Sequence, residues 1–538
     1  MSSLPHHIFS TQEIRVIEQN HAATHKGHCF DLMERAGRTV FEEMRKVNSR
    51  PSMVYVLAGK GNNGGDGYIV AAYLMRHHIP FRIFATDKPR ENSEAFAACS
   101  YFIKLGGKVE YELPDLIEEA NNGNSPDIVI DALLGTGLNT EPRETYVEWI
   151  NFINSTRAYI IAVDVPSGVN ANTGHVYHAC VTANKTVCML GLKSGLVTGD
   201  AVDYVGEIVC NSLGVDVNYF HGQCLSDEKS GASYLPVYLN SYEDIIADLP
   251  VRLLSDHKGR AGRLLVIGGS HGYGGSIAIC GQGALRAGAG LVKVATAHTN
   301  VGSLNAARPE LMTVDFEDLD AVAEAIEWTD VIALGPGLGT DEHAIKLLDM
   351  VISSEKAMVL DADALNIMST RELQVLPNSI MTPHPGEAAR LLGCSIADIN
   401  ADRYKAVYEL QQRCGGTVLL KGAGTLVCDG NKIFIIREGS PAMASGGMGD
   451  LLTGIIAALR AEGLTASRAT ICGAAVHGRA GRLSGDYTGE VGCLACDLLP
   501  YVRYLVSKRP GLADHNQGHM STYAERATSV LLENRIMF

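Results

Sequence analysis

The heptapeptide Ala-Ser-Gly-Gly-Met-Gly-Asp at residues 444–450 limits the fold more narrowly than any other stretch. It stands directly before LLTGIIAALRA, an apolar run with the length of a buried helix. Glycines at a helix start leave backbone N–H groups available for an anion such as phosphate. Asp450, placed immediately after them, can take a proton from a substrate hydroxyl as phosphate is delivered. The stretch predicts a phosphate-handling site, and a flexible turn capped by Asp450 is the structural alternative.

Short apolar runs that end in glycine, Asp or Lys surround this heptapeptide. Such runs are typical of buried parallel strands, whose carboxyl ends share the edge of a sheet where ligands bind. The runs are Leu264–Ile267 before GGS, Val331–Leu334 before GPGLG, Met358–Leu360 before DADAL and Thr417–Leu420 before KGAGT. His384, in the rigid segment TPHPGE, opens another helix, where a cap or core role is the alternative to a substrate contact.

The first 214 residues contain a second group of glycine loops. The runs Met53–Ala58, Ile128–Ile130 and Tyr159–Val163 predict more parallel strands. The first run leads into GKGNNGGDG at Gly59–Gly67, which precedes a helical run and is neither a dinucleotide fingerprint nor a P-loop. A tight turn would need its glycines but not its amides and carboxylate, so we expect a binding loop.

Two carboxylates end strands in this first half. Asp131 and Asp164 each follow an apolar run, where either alone could be a helix cap. Together with Asn63 and Ser167 they form an oxygen-rich set that suits a hard monovalent cation or a sugar. GTGL at residues 135–138 offers a second phosphate loop.

Whole-chain composition excludes several classes of protein. Of 538 residues, 46% are apolar and 20% charged, which excludes a largely disordered chain, and 57 glycines exceed the usual share. The net charge of −15 disfavours nucleic acid and anionic membranes as partners. Thirteen cysteines, without a signal peptide or an apolar run long enough to span a membrane, indicate a reducing, cytoplasmic location.

The motifs divide the chain into two unlike α/β halves. We expect one domain at residues 1–220, a connection at 221–248, a second domain at 249–507 and a polar tail without an assigned role at 508–538. Because each half has its own strands and loops, a cut near residues 221–240 should leave two soluble pieces. A large hydrophobic interface between the halves would prevent this, and the sequence leaves that possibility open.

The first half, with NNGGDG, DALLGTGL and AVDVPSG in this order, resembles the NAD(P)H-hydrate epimerase domain. The resemblance implies a Rossmann-like three-layer αβα fold and exchange of the R and S epimers of hydrated NADH and NADPH. It also implies a potassium ion held by Asn63, Asp131 and Ser167, and Lys193 matches a family lysine. Asp164 is the candidate catalytic acid or base because it ends a strand. The implied hydrate-binding residues are Asn62, Asn63, Gly64, Gly65, Asp66, Gly135, Thr136, Gly137, Leu138, Asn139, Thr140, Glu141 and Asp164.

The second half resembles a ribokinase-like α/β domain. GGMGD with HPGEAARLL, KGAGT, GPGLG and DADALN is similar to the ADP-dependent NAD(P)H-hydrate dehydratase domain over about residues 250–505. The resemblance implies Asp450 as catalytic general base. The implied hydrate contacts are Ser276, Gly337, His384, Pro385, Gly386, Glu387 and Asp450. The implied nucleotide contacts are Lys421, Gly422, Ala423, Gly424, Thr425, Ser440, Ala444, Ser445, Gly446, Gly447, Met448 and Gly449.

Together the halves resemble the bifunctional NAD(P)H-hydrate repair enzymes. The implied function is metabolite repair, in which the first half epimerises the hydrates and the second dehydrates the S hydrate to NAD(P)H, converting ADP to AMP and phosphate. Implied cofactors are potassium in the epimerase site and magnesium with ADP in the dehydratase site. Implied partners are the small molecules NADHX, NADPHX and ADP, with no nucleic acid and no membrane, and we expect a homo-oligomer. The choice between ADP and ATP stays open.

Two rival functions and three departures complete the sequence analysis. A vitamin-type kinase shares GGMGD, but HPGEAARLL and the fused first half disfavour it. A retained binding module is disfavoured by NNGGD together with both strand-end aspartates. Lys60 stands where many members of the resembled family have Pro, Ser276 where many have Ala, and Arg482 where Asp is common.

Overall fold

The fold was examined in a computed structural model that describes residues 4–25, 29–220, 235–371 and 373–507. It confirms an α/β chain with parallel sheets. In the N-terminal half the strands are β1 His7–Phe9, β2 Val54–Ala58, β3 Phe81–Ala85, β4 Ile128–Ala132, β5 Tyr159–Val163, β6 Lys185–Met189, β7 Leu192–Lys193 and β8 Glu207–Asn211. The helices are α1 Thr11–Thr24, α2 Phe30–Val47, α3 Asn62–Arg76, α4 Glu94–Lys104, α5 Leu116–Asn121 and α6 Glu144–Ser155, with 3-10 turns at Ser194–Val197, Gly199–Asp203 and Val217–Phe220.

The C-terminal half continues the alternation of strands and helices. Its strands are β9 Val237–Asn240, β10 Arg263–Ile267, β11 Leu291–Thr296, β12 Met312–Asp315, β13 Val331–Leu334, β14 Ala357–Leu360, β15 Ile380–Met381, β16 Thr417–Leu420, β17 Thr425–Cys428 and β18 Ile433–Ile436. Its helices are α7 Tyr242–Ile245, α8 Gly274–Ala287, α9 His298–Ala307, α10 Leu319–Trp328, α11 Glu342–Ser353, α12 Asp363–Ser369, α13 Pro385–Leu392, α14 Ile396–Ala401, α15 Arg403–Cys414, α16 Met448–Ala461, α17 Ala466–Thr488 and α18 Leu499–Val506. Short 3-10 turns lie at Ile246–Asp248, Pro441–Met443 and Ala495–Leu498.

The first sheet is parallel, in the order β3-β2-β4-β5-β6-β8. Alternate residues of each strand enter different cores, because successive side chains point to opposite faces. Val54 and Val56 pack in one core with α2 and α3, whereas Tyr55 and Leu57 pack in another with α6. The sheet therefore has helices on both faces, as the three-layer expectation requires.

A second sheet runs across both halves of the chain. Among the described residues its order is β12-β11-β10-β13-β14-β15-β16-β17-β18-β9-β1-β7. The strands from β12 to β16 are parallel neighbours, and β17 and β18 form an antiparallel extension. The strand β9 then pairs with β18 on one side and with β1 of the N-terminal half on the other.

The two halves also share a hydrophobic core. A single cluster contains Ile8, Leu192 and Leu196 from the N-terminal half together with Val418 and Leu420 from the C-terminal half. All five side chains are buried. The interface that the sequence left open is therefore present, and it argues against two independent modules.

Helices α8 and α16 approach each other closely on one face of the second sheet. A Cβ atom at Gly454 would lie 2.1 Å from the carbonyl oxygen of Cys280, so only glycine fits there. Asp450, in the first turn of α16, is hydrogen-bonded to Ser276, in the first turn of α8, so these two turns lie beside each other.

The seven strands that the sequence predicted are present to within two residues, and two features were misplaced. Tyr159–Val163, Val331–Leu334 and Thr417–Leu420 are confirmed. Asp131 lies inside β4 instead of after it, because pairing with β2 continues through this position. The segment Asn62–Asp66 begins α3 instead of lying in a loop, since the Gly65 amide already donates to the Gly61 carbonyl at 3.1 Å.

Part of the predicted connection and the whole of the predicted tail lie outside the described residues. Strand β9 and helix α7 fall in the connection, while residues 221–234 and the tail at 508–538 lie outside the described part. None of the described helices is both long enough and apolar enough to cross a membrane.

Residues 1–220 and 235–538 expressed as separate pieces should be less stable than the intact chain, because separation exposes the shared core and the edge of β9. We expect precipitation or a lower thermal midpoint for each piece alone, and a soluble complex when both are co-expressed. Size-exclusion chromatography and calorimetry measure both outcomes. A protease site inserted within 221–234 is the matched control, since a cut made after folding should leave the pieces associated. Two monomers with the thermal midpoint of the intact chain would contradict the shared core.

Candidate active sites

A buried ion pair forms the centre of the first site, which we call the N-terminal site and define by Glu18, Asp66, Asp164 and Lys193. The Lys193 ammonium group is fully buried and donates to the Asp164 carboxylate and to the Met189 carbonyl, the latter at 2.7 Å. Burial lowers the pKa of Lys193, but the Asp164 carboxylate and the neighbouring Cys188 and Cys210 together raise it by more. The Lys193 ammonium group therefore remains charged.

Asp164 adopts an uncommon backbone conformation, with φ at +64° directly after β5. Its Oδ1 accepts from the Met189 amide at 2.9 Å, and its own amide donates to the Val187 carbonyl at 2.9 Å. A non-glycine residue in the left-handed region is strained and is often found at functional sites. Contacts with β6 hold the carboxylate in place.

Two further carboxyl groups of the N-terminal site hold protons more tightly than usual. Burial and the nearby Asp164 carboxylate raise the pKa of Asp66 well above its ordinary value. Burial and Asp164 also raise the pKa of Glu18. A carboxyl group with a raised pKa beside an aspartate that is paired with a lysine is an arrangement that can give and take a proton during a reaction.

Asn63, Asp131 and Ser167 come together beside this site, and we call them the oxygen cluster. The Ser167 hydroxyl donates to Asp131 Oδ1 at 2.6 Å, and the Ser167 amide donates to Asp131 Oδ2 at 2.8 Å. The Asn63 amide nitrogen donates to the Leu134 carbonyl at 3.1 Å, while the Leu134 amide donates to Ser167 Oγ at 2.8 Å. Burial raises the pKa of Asp131 to about 6.

The loop at 135–141 is only partly joined to these residues. Gly135 lies against the Asn63 side chain, since a Cβ at this glycine would be 3.3 Å from Asn63 Cβ. The far end of the loop, Asn139–Glu141, is exposed, and Glu141 contacts His178 outside the site. The structure thus connects the start of the loop to the oxygen cluster, and does not bring the loop's end there.

A second buried ion pair lies at the carboxyl edge of the second sheet. Asp361, which follows β14, accepts from the Lys421 ammonium at 2.5 Å and from the Thr453 hydroxyl at 2.7 Å. Burial would lower the pKa of Lys421, but Asp361 and then Glu387 raise it. We call Ser276, Asp361, Lys421 and Asp450 the C-terminal site.

Asp450 is a carboxyl group of this site whose pKa is raised. Burial and the neighbouring Asp361 raise its pKa to about 6, against a hydrogen bond with Ser276 that lowers it. Gly337, with φ at +59°, closes the site from the side, since a Cβ there would lie 2.8 Å from Tyr273 Cβ and 3.4 Å from Ser276 Cβ. The departure at Ser276 thus places a hydroxyl on the predicted general base.

His384 is the N-cap of α13 and also faces this site. Its Nδ1 accepts from the Gly386 amide at 2.9 Å, and the His384 amide donates to the Glu387 carboxylate at 2.8 Å. Burial, followed by Lys421, lowers the pKa of His384, so the ring is neutral near pH 7. The cap role that the sequence left open is confirmed, and Nε2 lies 3.4 Å from the Glu387 carboxylate.

The predicted nucleotide residues lie in two segments. The segment 421–425 follows β16, and 444–449 leads into α16, where Gly449 lies against the Lys421 ammonium. The Ser445 hydroxyl oxygen is buried with no hydrogen-bond partner among the described residues. Ser440 caps a 3-10 turn and donates to the Gly481 carbonyl at 3.3 Å.

The remaining departures are at the surface. Lys60 is exposed. The Arg482 guanidinium donates to the Arg437 carbonyl at 3.0 Å and lies 3.5 Å from Glu438. Arg482 thus holds the backbone before Ser440 and does not belong to the C-terminal site.

Sequence reasoning missed three side chains of these sites. Asp361 could have been found by the rule that identified Asp164, since it also follows an apolar strand. Glu18 lies on the amphipathic helix α1 and Thr453 within the apolar helix α16, where the pattern gives no sign of a site.

Comparisons with known proteins agree with the two-part organisation. A family model described as NAD(P)H-hydrate dehydratase matches residues 264–503, and one described as the YjeF-related protein N-terminus matches residues 29–195. The bifunctional NAD(P)H-hydrate repair enzyme Nnr of Escherichia coli is 40% identical over 97% of this chain and 98% of its own length. The Vibrio cholerae protein of the same name is 39% identical over 94% of this chain and 99% of its own. The crystal structure of a Bacillus subtilis ADP/ATP-dependent NAD(P)H-hydrate dehydratase is 27% identical, with a TM-score of 0.45, over 49% of this chain and 96% of that one.

Replacement of Lys193 by Met should lower the free energy of unfolding by about 3–5 kcal/mol, because it leaves the Asp164 carboxylate buried without its partner. Urea denaturation measures the loss. The double replacement Lys193→Met with Asp164→Asn is the control and should recover most of the stability, since no charge then stays unpaired. A single variant as stable as the double would contradict the buried pair.

Proposed function

Because this chain belongs to the family of bifunctional NAD(P)H-hydrate repair enzymes, we propose that its N-terminal site exchanges the epimers of hydrated NADH and NADPH, and that its C-terminal site dehydrates the S hydrate using ADP. The observation that carries the proposal is the presence, in one chain, of two buried Lys–Asp pairs that each adjoin a carboxyl group with a raised pKa. We assign residues 1–220 to the first activity and 249–507 to the second.

Dehydration has to overcome the poor leaving ability of hydroxide. Transfer of a phosphoryl group from ADP to the ring hydroxyl leaves AMP and makes the oxygen part of a phosphate ester. The C–O bond then breaks and phosphate leaves with its electron pair. A proton leaves the neighbouring ring carbon, and the double bond of the dihydronicotinamide is restored. The protein has to remove the hydroxyl proton and stabilise charge on the transferring group.

Asp450 is the proposed general base for this transfer. Its pKa of about 6 leaves it ionised at pH 7 yet able to accept a proton, which suits a base operating near neutrality. The backbone of Gly446, Gly447 and Gly449 at the start of α16 would stabilise negative charge, and Lys421 lies beside Gly449. Support for nucleotide binding comes from the buried Ser445 hydroxyl, which has no hydrogen-bond partner among the described residues.

The proposed hydrate contacts in the C-terminal half surround Asp450. Ser276 and Gly337 form one wall, and His384, at the start of α13, presents Nε2 beside Pro385–Glu387. Because Nδ1 of the neutral His384 accepts from the Gly386 amide, Nε2 carries the proton and would donate a hydrogen bond to the hydrate.

Magnesium bound with the nucleotide fits the carboxylates of this edge. Asp363 and Asp361 both raise the pKa of Asp450, so three carboxyl groups are close enough to interact. Hard oxygen ligands of this kind, with phosphate oxygens, are the ones magnesium takes. Bound there, the ion would neutralise charge on the phosphates.

Epimer exchange is proposed to use the N-terminal site. Asp164, paired with Lys193, would accept a proton, and the carboxyl group of Asp66, whose pKa is raised, would supply one. The first turns of α3, from Asn62 to Gly65, and the loop that begins at Gly135 would hold the hydrate through backbone and amide groups.

Potassium is proposed to bind at the oxygen cluster. Asn63, Asp131 and Ser167 offer amide, carboxylate and hydroxyl oxygens, and the hydrogen bonds that Asp131 accepts come from neutral groups. A buried carboxylate with only neutral partners favours a cation, which would neutralise it.

Cellular location and assembly remain predictions. The twelve cysteines within the described residues are free thiols, which supports a reducing, cytoplasmic location. Exposed apolar side chains at Val251, Leu253 and Leu254 support a homo-oligomer, since such groups often mark contacts between chains.

The purified chain given both hydrates, ADP and magnesium should regenerate reduced-nicotinamide absorbance, and Asp450→Asn should abolish this while epimer exchange continues. The wild-type dehydration rate should fall as the pH drops through about 6, because protonated Asp450 cannot act as a base. Chromatography of the two epimers supplies the control within the same variant. A variant with near wild-type dehydration would refute the role of Asp450, and phosphorylation of a vitamin-type alcohol instead of hydrate repair would refute the function.

Potassium should raise the thermal midpoint at pH 8 but not at pH 5, with a free-energy effect of up to about 3 kcal/mol. Because the pKa of Asp131 is raised to about 6, folding favours its protonated form, and stability falls as the pH rises through 6 unless a cation neutralises it. Scanning calorimetry in potassium or choline chloride measures the difference.

The matched variant is Asp131→Asn, which keeps the size of the side chain and removes the charge. It should be insensitive to potassium at both pH values and should leave ADP-dependent dehydration unchanged. An equal response to potassium in the variant and the wild type would refute the cation role.

A further inference from the structure

Arg403, the first residue of α15, is a buried cation that the two proposed activities do not use. Only 3% of its surface is exposed, and no carboxylate lies within ion-pair distance of it in the part of the chain that the structure describes. Burial lowers its pKa to about 10, so the guanidinium remains charged. Burying a charge costs free energy unless its donors are hydrogen-bonded, so the hydrogen-bond partners of Arg403 stabilise it.

The partners of Arg403 are oxygens on both sides of the boundary between the halves. Its Nη2 donates to the Lys421 carbonyl at 3.2 Å, and its Nε donates to the Thr198 hydroxyl at 3.1 Å. Its guanidinium also lies against Gly422, where an added Cβ would be 2.8 Å from Nη1. Arg403 thus contacts the start of the segment 421–425 and a residue of the N-terminal half.

Thr198 extends this chain of hydrogen bonds to the other end of the same segment. While it accepts from Arg403, its hydroxyl donates to the Gly424 carbonyl at 2.8 Å, and the Gly199 amide donates to the Ala423 carbonyl at 3.0 Å. Gly424 lies so close to Val197 that a Cβ would be 2.0 Å from the Val197 carbonyl oxygen. The carbonyls of 423 and 424 are therefore occupied by the N-terminal half.

The segment that carries Thr198 is itself anchored. Tyr404, next to Arg403, donates its hydroxyl to the Ser194 carbonyl at 2.8 Å. Ser194–Val197 forms a 3-10 turn whose residues are all buried. Thr198 is therefore held by a rigid element, and its contact with Gly424 can fix the loop instead of following it.

We infer that Arg403 and Thr198 are positioning residues for the nucleotide loop 421–425, so that the N-terminal half supplies part of the support for ADP binding in the C-terminal half. The inference rests on the proposed use of ADP. These side chains hold the loop by its carbonyls, which keeps Lys421 beside Asp361 and the loop's remaining groups turned toward the nucleotide. Their loss should weaken ADP binding and leave the chemical step and epimer exchange intact.

The test uses the full chain and four variants in two matched pairs. Thr198→Val removes the hydroxyl at nearly constant size, and Thr198→Ser restores it. Arg403→Met removes the donors, and Arg403→Lys retains a charge without the planar fork. Dehydration of the S hydrate is measured over a range of ADP concentrations, epimer exchange is measured in the same preparations, and circular dichroism monitors folding.

Thr198→Val and Arg403→Met should each raise KM for ADP roughly tenfold, with kcat changed by less than about twofold, since one polar contact contributes on the order of a factor of ten. The KM for ADP of Thr198→Ser should stay near that of the wild type, and that of Arg403→Lys should be intermediate. Thr198→Val combined with Arg403→Met should raise KM no more than the more affected single variant does, because both residues act in one chain of hydrogen bonds. Epimer exchange should be unchanged.

An unchanged KM for ADP in folded Thr198→Val overturns the inference, whatever the stability of the Arg403 variants. An equal loss in Thr198→Ser, or a loss confined to kcat, also overturns it. If the wild-type chain dehydrates the hydrate without ADP, the proposed function fails and the inference fails with it, whereas ADP-dependent wild type with unaffected variants refutes the inference alone.

Discussion

The pairing of β1 with β9 determines how the two halves of this protein are arranged. A three-residue strand near the N terminus lies antiparallel to a strand more than two hundred residues later, and β9 pairs in turn with β18. Since β7 lies on the far side of β1, the turn that follows β7 is brought to the C-terminal half. Thr198 directly follows that turn, which is why a residue of one half reaches a loop of the other. The second sheet and one of the hydrophobic cores therefore contain residues of both halves.

Both sites use the same electrostatic arrangement in different folds. Lys193 with Asp164 and Lys421 with Asp361 are buried pairs of opposite charge. Each pair adjoins a further carboxyl group whose pKa is raised, Asp66 in one site and Asp450 in the other. Burial, together with the like charge of the paired aspartate, raises the pKa of the next carboxyl group. A carboxyl group with a raised pKa beside a paired carboxylate suits a residue that exchanges protons.

Local pattern was sufficient to predict the strands that bear the sites and several residues at their ends. Continuous apolar runs ending in Asp or glycine located Asp164 and the loop after Thr417–Leu420, because parallel strands deliver their carboxyl ends to one edge. The short strands β1, β7 and β9 have two to four residues, too few for a period to be detected. Arg403 begins a helix rich in polar residues, where a charge normally faces solvent, and only the three-dimensional contact with Thr198 distinguishes it.

The close approach of α8 and α16 restricts how this half can move. With Gly454 against the Cys280 carbonyl and Gly283 against Leu451, the two helices have no clearance to slide past each other. Shear between packed helices, a common route to domain closure, is therefore blocked at the point where Ser276 meets Asp450. Access of substrate to the C-terminal site must come from the segments that border it, such as the exposed turn around Tyr273 and the stretch before α16. Helices α8 and α16 then form the rigid base of the site, and its opening and closing involve only the segments that border it.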